Sequence, residues 1–268
     1  MYGLLDNLDS LGLELELPFE LFKTSFNPAP KEEPTEEDSE AEPIDMSASF
    51  GPKVYTCPVC KVDFDYNIVR TTKIRLKHTI GVRPVYYNIE PLFYGVLMCT
   101  RCGYAALQSN FESIIRPQAD RLSENLRPLY SNFMAPSYPL VLTVEMAIER
   151  YKYALLSALF KKSWLSEKAF IMMKIAWLYE MMGDTENELL FVKHSYDYFT
   201  KAYTVERFPL FGLSQGTVAY ILAEFASKLG DKSSALKHLG TVILDPGTPE
   251  RLKELARDLK HKLVPENY

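Results

Sequence analysis

Four cysteines, arranged as Cys57-Pro-Val-Cys60 and Cys99-Thr-Arg-Cys102 and accounting for every cysteine in the chain, constrain its fold more than any other feature. Two thiolates separated by two residues converge on one metal. A second such turn, brought beside the first by a hairpin, completes the tetrahedron of a structural zinc site. Gly103 follows the second pair, where the chain has to turn tightly behind the metal. The expected ligands are therefore Cys57, Cys60, Cys99 and Cys102, and the expected cofactor is structural zinc. A redox dithiol competes for Cys57-Pro-Val-Cys60 alone, but that chemistry wants its first cysteine at a helix N-terminus. Here Lys61-Val-Asp-Phe-Asp-Tyr66 follows, and its alternation reads as a strand. His78, the only histidine between the pairs, reads as a surface residue.

At 268 residues the chain can bury a sizeable core and hold two domains plus a tail. No apolar run approaches the roughly 20 residues that cross a bilayer. Met1-Tyr-Gly-Leu-Leu-Asp6 lacks a basic leader. The expectation is a reduced, cytoplasmic protein without membrane contact. Charge is unevenly spread: residues 1–50 carry 13 acids against Lys23 and Lys31, a net of −11, so the whole-chain −5 leaves the remainder at +6.

The acidic part divides in two. Residues 27–50 hold four prolines among eight acids and read as a disordered, extended linker. Residues 1–26 place Leu4, Leu5, Leu8, Leu11, Leu15 and Phe19 at spacings compatible with one helical face, while the alternation of Leu11 to Leu17 also suits a short strand. An apolar segment on a flexible tether reads as a docking motif, for a partner or for a groove on its own body, against the alternative of an idle terminus.

Between the cysteine pairs, Val69 to Lys77 alternates as a strand with Lys73, Arg75 and Lys77 on one side and Ile74 and Leu76 on the other. Arg70, Lys73, Arg75 and Lys77 with Tyr86 and Tyr87 make a candidate site for RNA or single-stranded DNA, in which phosphates meet cations and bases stack on rings. The competing reading is a solvated edge strand with aromatics covering a small domain.

The run Cys57-Pro-Val-Cys60, Val69-Arg70, Lys73, Arg75, Arg83-Pro84, Tyr87, Glu90-Pro91-Leu92, Tyr94 and Cys99-Thr-Arg-Cys102-Gly103-Tyr104-Ala105-Ala106 resembles the bacterial family called domain of unknown function 2225. The resemblance extends over about residues 52–245. It implies a bacterial cytoplasmic protein with a metal-binding ribbon and a helical C-terminal half, and it brings no activity.

Beyond Tyr104 the pattern is helical. Phe111 to Ile115 opens an amphipathic stretch, and Thr143 caps a helix over Val144–Phe160 with one buried face. Helices over 169–182 and 186–203 flank Gly183-Asp184, and helices over 218–229 and 234–244 flank Gly230-Asp231. A last helix with Pro249 at its first position runs to Leu263. Helix, Gly-Asp turn, helix is the tetratricopeptide logic, although 47 residues separate the two glycines; a plain bundle is the alternative.

The expected fold class is α+β and mainly α: a small β zinc ribbon over 51–110 and an α-helical tetratricopeptide-like array or bundle over 111–268. Phosphate loops, HExxH, nucleophile elbows and dinucleotide fingerprints are missing. The chain thus reads as a non-enzymatic adaptor for a protein or peptide partner, with nucleic-acid binding through the basic strand as the alternative.

Overall fold

The computed structural model describes residues 5, 6, 8, 15–23, 46–132 and 138–264. Leu4, Leu11 and residues 27–45 of the expected linker lie outside them. The described part is α+β and mainly α. Strand β1, Phe50–Thr56, pairs antiparallel with β2, Asp63–Val69, in a register that sets Thr56 against Asp63 and Tyr55 against Phe64. Strands β3, Leu76–Ile80, and β4, Arg83–Tyr86, form a second pair. Strand β5, Val96–Met98, pairs antiparallel with β6, Ala105–Leu107, so that Met98 faces Ala105.

The strand expected over residues 69–77 is interrupted. β1 begins at Phe50, so the ladder of β2 ends at Val69. Arg70 N–H reaches the Ser49 carbonyl at 2.9 Å, and a 3-10 turn, Thr71–Lys73, follows. Leu76, expected on the face opposite the cations, is 55% exposed.

Seven α-helices follow among the described residues. α1, Arg116–Asn132, starts later than the expected Phe111, with Pro117 in its first turn where a missing N–H is harmless. α2, Val144–Phe160, is capped by Thr143, whose Oγ1 accepts from Met146 N–H at 3.4 Å. Its residues from Arg150 to Phe160 are all buried, so the expected single apolar face is in fact a helix enclosed on all sides.

The chain divides into two compact units: residues 1–77, 86–162 and 178–185 form one, and 78–85, 163–177 and 186–268 the other. In the first, the described N-terminal residues Leu5, Leu8, Leu17, Leu21 and Phe22 are buried, and Lys152 Nζ of α2 donates to the Lys23 carbonyl. A separate apolar cluster gathers Phe50, Ile89, Tyr94 and Leu142.

α3, Leu165–Met182, and α4, Thr185–Val205, join at Gly183-Asp184; α5, Gln215–Lys228, and α6, Lys232–Leu244, join at Gly230-Asp231. Both glycines are left-handed, at φ 76° and 81°. Both turns make the same bonds: Gly183 N–H to Glu180 O and Asp184 N–H to Tyr179 O, then Gly230 N–H to Ser227 O and Asp231 N–H to Ala226 O. This is the Schellman pattern that satisfies a helix's last carbonyls. In the second unit, Glu206 beyond α4 accepts from Leu165 N–H at 2.6 Å, placing a carboxylate on the N-terminus of α3. The core of this unit joins Ala219, Tyr220 and Ala223 of α5 to Leu239 and Val242 of α6. Leu252 and Ala256 of α7, Glu250–Leu263, complete it. Pro249 is the residue before α7, one place earlier than expected. The Phe208–Gly212 connection is ordered: Leu210 is buried and the Phe211 ring lies 5.2 Å from that of Phe170. No helix among the described residues is long and apolar enough to cross a membrane.

Candidate metal centre

Each cysteine pair occupies the tip of an antiparallel hairpin, in loop 57–62 between β1 and β2 and in loop 99–104 between β5 and β6. The two loops have the same length and the same bonds. Cys57 N–H donates to Val62 O at 3.0 Å and Lys61 N–H to Cys57 O at 2.9 Å. Cys99 N–H donates to Tyr104 O at 2.8 Å and Gly103 N–H to Cys99 O at 2.9 Å. The fifth residue of each loop is left-handed, Lys61 at φ 61° and Gly103 at φ 73°. The tight turn expected of Gly103 is thus real, and a lysine makes the same turn in the other loop.

The loops bring all four Sγ atoms within 4.8 Å of one another. Cys57 Sγ lies 3.6 Å from Cys102 Sγ, and Cys60 Sγ 3.7 Å from Cys99 Sγ. A disulfide needs about 2.05 Å. A tetrahedron with metal–sulfur bonds of about 2.3 Å has sulfur–sulfur edges of about 3.8 Å, so the spacing suits one metal ion. Cys57, Cys99 and Cys102 are buried and Cys60 half-buried.

Crowding polarises the thiols. Hydrogen bonds from the Cys102 and Cys57 thiols pull Cys99 down to about 2, while bonding to Cys57 and Cys99, with burial, pushes Cys102 far above the ordinary thiol range. Metal ligation requires the sulfurs as thiolates, so metal binding releases protons.

The hairpins are held by aromatics and by α2. The Tyr104 ring lies 4.8 Å from that of Phe111, and its hydroxyl donates to the Phe111 carbonyl at 3.1 Å. Tyr55 and Phe64 close on Phe111 at 6.2 and 5.6 Å. Ala105 and Ala106 are buried, and Ala105 N–H donates to Ser157 Oγ of α2 at 3.2 Å. The Cys-Gly-Tyr-Ala-Ala run therefore has a physical reading: a ligand, a left-handed turn, a packing ring and two small residues that admit a helix.

Arg70, Lys73, Arg75 and Lys77 are all exposed. Tyr87 is 62% exposed, its N–H donates to the Arg75 carbonyl at 3.0 Å, and Lys77 Nζ sits 5.7 Å from its ring; Tyr86 is half-buried. His78 is exposed. Asp63 accepts from Thr56 Oγ1 at 2.7 Å. Arg150 and Lys152 escaped the sequence reading, although two cations within a run of helical tyrosines and leucines were a visible signal of paired or caged charge.

The family model described as "Uncharacterized protein conserved in bacteria (DUF2225)" matches residues 50–263. No curated protein matches the chain, and no solved structure does.

Proposed function

The chain belongs to this uncharacterised bacterial family, and from that premise we propose that it is a non-enzymatic, cytoplasmic adaptor. A structural zinc ion pins its two knuckles into a ribbon, and a tetratricopeptide-like helical half holds a protein or peptide partner. The observation that carries this reading is the convergence of four sulfurs from two matching loops within 4.8 Å. Four thiolates select zinc over harder cations, and a closed tetrahedron leaves no position for an activated water. The repeated Gly-Asp turns support the helical half as a stack of paired helices.

Protein purified without chelator should carry about one zinc per chain by elemental analysis. Cys102→Ser should lose the metal and the near-ultraviolet signal of the surrounding tyrosines. Hairpins that stay unchanged after complete metal removal overturn the structural role of the ion. For the adaptor role, proteins captured by the full chain should bind it directly when purified; failure of each to do so overturns that role.

A second reading is supported by the pairing of exposed Lys77 with exposed Tyr87 beside Arg70, Lys73 and Arg75, a set suited to single-stranded nucleic acid. Binding should weaken steeply with salt and flatten in a Lys73→Glu/Arg75→Glu variant. Affinity unchanged in that variant removes these residues from any such site.

A further inference from the structure

Arg150 of α2 is 3% exposed. Its Nη2 donates to the Tyr66 hydroxyl and to the Val96 carbonyl, while its Nε is buried with no acceptor. Both acceptors are neutral. No carboxylate pairs with this guanidinium among the described residues, and its neighbour Glu149 instead accepts from the Tyr138 hydroxyl at 3.0 Å. A guanidinium stays charged in any protein environment, so an enclosed one without a counter-charge is costly unless an anion reaches it. The rings of Tyr66 and Tyr138 flank it, with centroids 5.2 and 5.5 Å from Cζ.

Arg150, enclosed as it is, also borders a cavity of about 180 Å³, together with Tyr66, Tyr138, Met98 and Leu142. Asn67 and Thr100 add polar groups to the aromatic and aliphatic side chains around the one cation, the usual make-up of a small-molecule pocket. Asp65, exposed on β2, lines the same cavity. Its negative charge opposes a dianion, and the apolar walls favour a ligand with a carbon body over a bare oxyanion.

We propose that this cavity binds a small aromatic monocarboxylate, with Arg150 holding the carboxylate and Tyr66 and Tyr138 enclosing the ring. The cavity also includes Met98 and Thr100, which flank Cys99, so the bound acid lies against the second knuckle. This site is independent of the adaptor reading.

The test titrates the full-length, metal-replete, nitrogen-15-labelled protein with benzoate, benzamide and inorganic phosphate. Benzoate should shift the Asn67, Thr100 and Leu140 amides together along one saturating curve. Benzamide, of the same shape but uncharged, should bind at least about tenfold more weakly, the worth of a charge-assisted contact. Phosphate should leave these amides unmoved. Arg150→Gln should bring benzoate down to the level of benzamide. Because that variant also removes the bonds to Tyr66 and Val96, Asp65→Asn provides a second reading: it should tighten benzoate by about threefold by lifting one repulsion. Equal binding of benzoate and benzamide, shifts located elsewhere, or an Asp65→Asn variant no tighter than the parent each overturn the proposal.

Discussion

Lys61 stands in the first knuckle where Gly103 stands in the second, with nearly the same left-handed φ. A side chain there costs about 1–2 kcal/mol in local sterics. Lys61→Gly should therefore leave stability unchanged or raise it by up to about 1 kcal/mol, the steric relief being partly offset by a more flexible unfolded chain. Gly103→Val should cost about 2 kcal/mol and weaken metal retention, because a branched residue at that φ is strained and Gly103 is buried. Urea melts of the metal-loaded proteins check both. Lys152 shows a different constraint. Burial holds its amine at about 8, below the ordinary 10.5, against the pull of the Asp6, Asp184 and Glu149 charges. Between those values the unfolded chain carries the proton that the folded chain has lost, so stability rises with pH. The gain between pH 8 and pH 10 should be about 2 kcal/mol in the wild type and should vanish in Lys152→Met, as measured by denaturant titration at each pH.

At the scale of elements, the cap expected for α2 is the cap observed, while α5 begins at Gln215, ahead of the expected Val218, under a cap that the apolar periodicity did not mark. Thr143 closes α2 and Ser214 closes α5, each through a side-chain oxygen that accepts from a backbone N–H three residues on. Thr143→Ala and Ser214→Ala should each lower stability by about 1 kcal/mol in thermal or urea unfolding. The Gly-Asp turns were equally legible, because a left-handed glycine after a helical run is a local requirement. The β3 region was not. The alternation of Val69 to Lys77 suits a strand, but a strand needs a partner, and where β1 begins is not written in residues 69–77. Past Val69 the chain makes a 3-10 turn instead, so that Lys73 in the turn, Arg75 after it and Lys77 in β3 do not lie on one continuous strand.

At the scale of the whole molecule, the described N-terminal residues are part of the first compact unit: Leu5, Leu8, Leu17, Leu21 and Phe22 are buried, and Lys152 grips the Lys23 carbonyl. Removing residues 1–23 should expose the apolar surface they cover, raise the fluorescence of a hydrophobic dye and lower the melting temperature. A truncated chain with unchanged dye binding and melting would show that this segment is energetically idle. The cysteine spacing by itself determined the four-sulfur cluster, and apolar periodicity with its capping residues determined most of the helices, because ligand spacing, caps and left-handed turns are satisfied within a few residues of chain. Tertiary structure alone decided that α2 is enclosed, that its Arg150 borders a tyrosine-walled cavity, and that β2 stops at Val69. Those outcomes depend on which distant surfaces meet, and burial, charge isolation and strand pairing are properties of that meeting rather than of any one segment.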